Sequence, residues 1–335
     1  MISKRTWRIF LIILVISLPI RLYQALFLLE PGTGFYSDGY LSTAALLIVL
    51  MAGCALLCAE TAREKQMVPR LPVRSLGAAV VGMFTGFLFC GQSIYSLLGA
   101  PAVDNPGMNG ILAAAGILAG AAFLWQSYGL AMGDNPWARH PLPALLPPLW
   151  GCVCLVALFL SYSGTVNTAD NVYDTFSVVF LLLFFFAYAK LHAGIEPARS
   201  GRAAVRYGLI SVWLAAITVV PEVVLTVMGR PVLTGYPFGM FLMNGAAACF
   251  ALLFVSGMHK SGAEPETGLP AEGGTPESDP AQTEGTPGGE DDDARLAEEL
   301  RKAYNSRESF VENGAGAASP EKASEEKPGG EENQR

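Results

Sequence analysis

Eight stretches of predominantly apolar residues dominate the chain, and each is about 20 residues long, the length a helix needs to cross a ~30 Å hydrocarbon core. They lie at roughly 8–29, 41–59, 76–98, 109–131, 143–163, 174–193, 207–228 and 236–258. Short connections rich in Gly, Pro, Asp and Asn separate them, without the alternating pattern of a membrane β-barrel. The sequence therefore predicts an all-α, polytopic transmembrane bundle of about eight helices within residues 1–260.

The first apolar stretch follows Lys4, Arg5 and Arg8, an arrangement that secretory signal peptides share. However, the apolar run continues past Arg21 to Leu29, which is longer than the roughly 7–15 residues of a signal-peptide core. No convincing small-x-small cleavage site follows it. We therefore expect this stretch to be retained as the first membrane helix.

The distribution of Lys and Arg predicts the orientation, because basic residues are enriched in cytoplasmic loops. With a cytoplasmic N-terminus, thirteen basic residues fall on the inner side: Lys4, Arg5, Arg8, Arg63, Lys65, Arg70, Arg74, Arg139, Lys190, Arg199, Arg202, Arg206 and Lys260. The outer loops (30–40, 99–108, 164–173 and 229–235) hold only Arg230. The sequence predicts a multi-pass protein of the cell membrane with both termini in the cytoplasm.

The acidic charge of the protein is concentrated in its C-terminal segment. Overall, 52% of the residues are hydrophobic and only 15% are charged. Residues 1–258 carry ten acidic and fourteen basic residues, whereas residues 259–335 carry nineteen acidic and eight basic ones. From Ser261 onward Gly, Pro, Glu, Ser and Thr predominate, a composition that cannot bury enough apolar surface to offset its ordering entropy. Residues 261–335 are predicted to be a disordered cytoplasmic tail.

One part of this tail, at about 291–311, differs in composition. Leu296, Leu300 and Tyr304 recur at helical spacing behind three consecutive Asp residues, which favour a helix N-terminus. Such a short helix is marginal in isolation. Two interpretations stay open: a solvated stretch, or a peptide that folds on docking to a cytoplasmic protein partner.

A weak internal similarity relates the two halves of the membrane region. Gly99-x-Pro101 and the later Met108-Asn109-Gly110 have counterparts in Gly229-x-Pro231 and Met243-Asn244-Gly245, at offsets of 130 to 135 residues. Two parallel four-helix halves would produce this pattern. Chance recurrence of turn residues is the alternative.

Polar residues within the predicted membrane helices are the candidate functional site, since such residues are costly in lipid and usually face the bundle interior. They form a set predicted to lie toward the outer side: Arg21, Gln92, Asp174, Glu222 and Asn244. Pro221 removes a backbone donor just before Glu222. Three arrangements are possible: an outward-facing polar cavity that binds a ligand, a structural Arg21–Glu222 pair, or no contact between these residues.

The sequence contains no phosphate-binding loop, metalloprotease, nucleophile-elbow or dinucleotide-binding signature, so it predicts no catalytic residues and no cofactor. The six cysteines all lie in apolar stretches, where burial is a commoner role than metal binding. The three histidines (His140, His192 and His259) are expected at cytoplasmic helix ends beside basic residues, so no metal site is predicted. The acidic tail disfavours nucleic-acid binding.

These observations favour a membrane sensor or regulatory scaffold whose tail binds a cytoplasmic partner, because such a tail is more than a transporter needs. A small-solute transporter that uses the outer polar residues is the first alternative. A lipid-modifying membrane enzyme is the second, and it lacks a converging set of His, Asp or Cys residues.

Overall fold

The computed structural model describes residues 3–29, 36–63, 74–99, 102–103, 105–162, 169–229 and 238–261. These residues form helices joined by turns, with one isolated antiparallel bridge between Leu29 and Tyr36. Eight of the described helices are long and apolar enough to span a bilayer. The described part of the chain is therefore the helical bundle of a multi-pass membrane protein, and its lipid-facing surface contacts the bilayer.

The helices follow one another as an up-and-down bundle. The spanning helices are α1 (Lys4–Tyr23, continued by a π-helical turn, Gln24–Leu28), α2 (Leu41–Arg63), α3 (Leu76–Leu97), α4 (Pro106–Met132), α6 (Leu146–Tyr162), α7 (Ala169–His192), α8 (Pro197–Val227) and α9 (Phe238–Ser261). A short α5 (Pro136–Arg139) and a 3-10 turn (Leu142–Leu145) connect α4 to α6. The prediction of eight membrane helices is confirmed. The predicted tail helix at 291–311 lies outside the described residues.

The largest difference from the predicted bounds is in α8, which begins at Pro197 and not near residue 207. Pro197 occupies the first turn, where the missing backbone N–H costs nothing. The basic residues of the following turns obscured this start in the hydropathy pattern. At 31 residues, α8 is about 46 Å long, so its basic beginning extends beyond the ~30 Å hydrocarbon core.

Polar side chains define several helix ends. Ser3 accepts hydrogen bonds from backbone N–H groups at the start of α1, and Asn105 does the same for α4. Before α2, the Asp38 carboxylate accepts a bond from the Ser42 N–H at 2.8 Å. Hydrogen bonds from Ser42 hold the pKa of Asp38 below its usual value. Gly133 ends α4 in the left-handed conformation, with φ of 76°.

Six of the helices close into a ring. Helices α3, α4, α6, α7, α8 and α9 each pack against the next in chain order, and α9 returns to pack against α3. Helices α1 and α2 pack against each other and against α8, outside this ring. Helix α8 therefore joins the ring to the outer pair.

Aromatic side chains fill the inside of the ring. Phe123 of α4 lies 5.4 Å from Phe89 of α3 and 5.5 Å from Phe250 of α9, measured between ring centroids. Further along, Tyr188 of α7 lies 4.6 Å from Phe254 of α9. These are edge-on or tilted contacts of the kind that stabilise aromatic pairs beyond their buried area. The ring is thus a packed core over this depth.

Glycine allows the closest approach within the ring, where α3 crosses α4. A Cβ atom on Gly86 would lie 2.9 Å from the Gly120 carbonyl oxygen, and a Cβ on Gly120 would lie 2.8 Å from the Gly86 carbonyl oxygen. Any larger residue at either position would push the helices apart. Small residues at the crossing are the usual basis of helix association in lipid.

The neighbours of the helices differ between the two halves of the chain. In the second half α7 packs along α8, whereas the corresponding helices of the first half, α2 and α3, do not share such an interface among the described residues. The first pair of each half is comparable, because α1 packs on α2 as α6 packs on α7. An internal duplication therefore stays a prediction.

Candidate functional site

Arg21 lies near the C-terminal end of α1 and is almost fully buried, with 2% of its surface exposed. Its Nη1 donates to the Tyr36 hydroxyl at 2.7 Å and to Gln24 Oε1 at 3.4 Å. Its Nε donates to the backbone carbonyl of Ile217 in α8 at 3.4 Å. The guanidinium therefore links α1 to the turn before α2 and to α8.

Pro221 explains why the Ile217 carbonyl accepts a bond from Arg21. In a helix this carbonyl would receive the backbone N–H of residue 221, but proline has none. One turn earlier in α8, Trp213 Nε1 donates to the Ser17 hydroxyl at 2.6 Å. Ser17 and Arg21 are four residues apart on α1, as are Trp213 and Ile217 on α8. The two contacts together fix the register of α1 against α8.

Tyr173 of α7 places its ring centroid 5.0 Å from the guanidinium carbon of Arg21. A cation–π contact in a desolvated setting stabilises by about 2 kcal/mol. The residue that follows, Asp174, is 4% exposed, and Glu222 of α8 is 1% exposed. Of the predicted polar set, Arg21, Asp174 and Glu222 thus lie at one end of the bundle, on the three helices that meet around Arg21. We call this the Arg21 end.

The other two members of the predicted set lie on different interfaces. Gln92 of α3 is half-buried, and its side chain packs directly on Gly239 at the start of α9. Asn244 of α9 is 4% exposed, and its Oδ1 has no hydrogen-bond partner among the described residues. The neighbouring Gly245 faces Val219 of α8. The polar set is therefore distributed over α1, α3, α7, α8 and α9.

A second polar cluster, which the sequence analysis did not predict, lies at the opposite end of the bundle. His192 at the end of α7 is 2% exposed, and its Nδ1 is 3.0 Å from Asn135 Oδ1 and 3.2 Å from the Gln126 amide. Asn135 Nδ2 donates to the His192 carbonyl at 3.0 Å. The rings of Tyr188 and Trp137 pack on the imidazole, at 4.4 and 5.8 Å between centroids. We call this the His192 cluster.

His192 lies at the end of α7, two residues after Lys190, as the sequence predicted, but its side chain is buried and not exposed at the membrane interface. The imidazole is buried inside the bundle, where its Nδ1 lies within hydrogen-bonding distance of Gln126 and Asn135. Its Nε2 has no hydrogen-bond partner among the described residues. The sequence did carry a signal: Gln126 and His192 are polar residues within otherwise apolar helices. Their partnership could not be read from the sequence, since it depends on α4 and α7 meeting across the ring.

A third cluster joins the outer helix pair to α8 at the same end as His192. Glu60 of α2 is 8% exposed, and its Oε1 pairs with Arg5 of α1 at 3.2 Å and with Arg63 at 3.1 Å. Arg206 of α8 donates from Nε to the Thr61 hydroxyl at 2.9 Å. Helices α1, α2 and α8 are thus held at both ends, here by ion pairs and at the other end by Arg21.

Metal-binding side chains do not converge within the described residues: no group of three or more His, Cys, Asp or Glu is arranged to hold an ion. The six cysteines are all free. Cys54 and Cys58 are half-buried in α2, and Cys152 faces outward from α6.

No family model matches the chain, and no curated protein or solved structure is significantly similar to it. Its function must therefore be argued from the arrangement of its own residues.

Proposed function

We propose that this protein is a sensor or regulatory scaffold of the cell membrane. The observation that carries the proposal is the aromatic packing inside the six-helix ring. Phe89, Phe123 and Phe250 pack inside the ring and are almost fully buried, and Phe254 continues this packing to His192. A solute path through the ring would require these rings to separate, whereas a sensor needs only a change at one end that alters the other.

The Arg21 end supplies the sensing element in this proposal. Arg21 contacts three separate parts of the fold through Tyr36, Tyr173 and Ile217. A ligand or a change in the membrane that displaced Arg21 would alter the packing of α1, α7 and α8 together. Within α7, Tyr173 and His192 are about 28 Å apart at 1.5 Å per residue, so this helix connects the Arg21 end with the His192 cluster.

The C-terminal tail supplies the output. It is proposed to be cytoplasmic and disordered, with Leu296, Leu300 and Tyr304 as a helical docking face for a cytoplasmic protein. These residues lie outside the described part of the chain, so this element rests on the spacing of apolar residues in a segment otherwise poor in them.

The experiment compares the full chain with a truncation after Pro280 and with the double substitution Leu296→Asp and Leu300→Asp. A photo-crosslinking residue at Ser306 would capture a docked partner in cells, and Glu308→Gln serves as the control substitution. We expect all variants to be inserted and folded. Among the chains that carry the crosslinker at Ser306, the Leu double variant should lose the cross-linked product and Glu308→Gln should keep it. The truncation should also lose the cellular response. Identical behaviour of the truncated and full-length proteins would contradict the scaffold function.

A small-solute transporter is the second candidate, favoured by three buried ionisable residues at the Arg21 end. Arg21, Asp174 and Glu222 are all at most 4% exposed, and prolines interrupt two of the adjoining helices, at Pro19 and Pro221. Reconstitution into vesicles separates the two functions. A transporter would move solute without the tail and would lose that flux on Glu222→Gln, whereas a sensor would show no flux in either form.

A further inference from the structure

Three arginines from three helices converge at the end of α2, where the bundle meets the membrane surface. Arg5 of α1 and Arg63 of α2 both pair with the same oxygen of Glu60, at 3.2 and 3.1 Å. Their guanidinium groups therefore lie within about 6 Å of each other. Arg206 of α8 is held on the neighbouring residue, Thr61.

The hydrogen bonding of Thr61 and Glu60 holds these arginines in place but does not neutralise them. The Thr61 hydroxyl donates to the Leu57 carbonyl at 2.7 Å, which leaves its oxygen lone pairs to accept from Arg206. Each guanidinium has five N–H donors and uses few of them in these contacts. Among the described residues, the cluster holds three arginines and one carboxylate, Glu60, which pairs with Arg5 and Arg63. The cluster thus retains a net charge of +2 and several N–H groups for an anion.

The position of the cluster indicates which kind of anion it can bind. It lies at the start of α1, at the end of α2 and ten residues into α8, next to the basic beginning of α8 that extends beyond the hydrocarbon core. It therefore sits at the level of lipid headgroups. The side chains of Arg5 and Arg63 are each 69% exposed and can reach a headgroup, whereas that of Glu60 is 10% exposed. Arginine forks bind phosphate through paired N–H bonds and suit it better than lysine does.

We propose that Arg5, Arg63 and Arg206, arranged by Glu60 and Thr61, bind the phosphate group of an anionic phospholipid. The site is independent of the proposed sensor function. Because it bridges α1, α2 and α8, a bound lipid would hold the outer helix pair against the ring.

The test measures lipid retention by the detergent-purified full chain, using native mass spectrometry with phosphatidylglycerol and phosphatidylcholine as probes. We expect the wild type to retain phosphatidylglycerol preferentially. Arg63→Gln and Arg206→Gln should each reduce that preference roughly fivefold, the factor that corresponds to about 1 kcal/mol per basic side chain. Arg139→Gln is the matched control, since Arg139 is exposed at the same end and contacts only Asp134 among the described residues, at 4.0 Å. It should leave the preference unchanged.

Two further measurements are needed. The first shows whether a loss of lipid is caused by misfolding, and the second shows whether the site binds free phosphate in place of a lipid headgroup. Arg206→Lys keeps the positive charge but lacks the paired N–H donors of the guanidinium. It should therefore fold normally and retain less phosphatidylglycerol than the wild type. Inorganic phosphate at millimolar concentration should not displace the lipid. Equal loss in the Arg139 and Arg206 glutamine variants, no preference in the wild type, or full displacement by inorganic phosphate would each overturn the proposal.

Discussion

Arg21 of α1 donates a hydrogen bond to the Ile217 carbonyl of α8, in place of the backbone donor that Pro221 lacks. A proline in a membrane helix leaves a polar carbonyl that lipid cannot satisfy. Here an arginine from another helix satisfies it, and the same guanidinium contacts Tyr36 and the ring of Tyr173. A buried charge and a helix interruption thus compensate each other at one place.

Replacing Arg21 with Met should lower the free energy of unfolding by about 3 kcal/mol, because buried acceptors on three segments lose their donor. Reversible unfolding in mixed micelles would measure the change. Arg8→Met is the control, since Arg8 is exposed on the same helix and should change stability by no more than about 0.5 kcal/mol. Equal effects of the two substitutions would show that the Arg21 contacts contribute nothing to the fold.

The predicted pairing of Arg21 with Glu222 is tested by a double-mutant cycle. If the two side chains compensate each other, Arg21→Met and Glu222→Met should each cost about 3–5 kcal/mol, and the double variant should recover much of that loss. The same unfolding assay gives all four values. Additive losses would mean that the two charges are stabilised separately. A double variant that folds but alters the cellular response would point to a functional pair.

Gly53 in α2 should not tolerate alanine. A Cβ atom there would lie 2.6 Å from Cη2 of Trp213 and 3.1 Å from Cγ2 of Ile13, and both neighbours are packed in the interior. We expect Gly53→Ala to destabilise the protein by about 1–3 kcal/mol through overpacking. Gly91→Ala is the matched control, because nothing lies within 4 Å of its Cβ position. There the gain in helix propensity should leave stability equal or higher. Loss of stability in both variants alike would contradict the close approach of α2 to Trp213.

The proposed orientation predicts the behaviour of topology reporters. Fusions after Ala138 and after His259 should behave as cytoplasmic, and a fusion near Asp104 as external, because thirteen of the fourteen loop-proximal basic residues would then lie inside. Paired phosphatase and fluorescent-protein fusions would measure this. An external C-terminal fusion would contradict the assignment of both termini to the cytoplasm.

The number of membrane helices could be predicted from the sequence, because hydrocarbon thickness imposes a minimum apolar length that each helix must meet on its own. The ends of the helices were harder to predict. The start of α8 at Pro197 was missed because its first turns contain basic residues. Such turns have low hydropathy even though their backbone is helical. Residues 291–311 lie outside the described part of the chain, so their docking role stays a prediction.

The sequence could identify residues of the candidate site but not the contacts between them. Arg21, Asp174 and Glu222 stand out as ionisable residues in apolar helices. The sequence alone does not show that Tyr36 and Tyr173 contact Arg21. The separation of Gln92 from Arg21 depends on which helices adjoin, and α3 adjoins α9 while α1 adjoins α8. Similar depth in the membrane does not determine position around the bundle. For the same reason the His192 cluster was not anticipated.

The contact between α3 and α9 that closes the ring has a consequence for biosynthesis. Helix α3 is synthesised early, but its partner Gly239, against which Gln92 packs, belongs to α9, the last of the described helices. Until then the half-buried Gln92 must face lipid or a membrane chaperone. The ring therefore cannot close before α9 has been synthesised, and quality control of the closed ring would act on a chain that already includes α9.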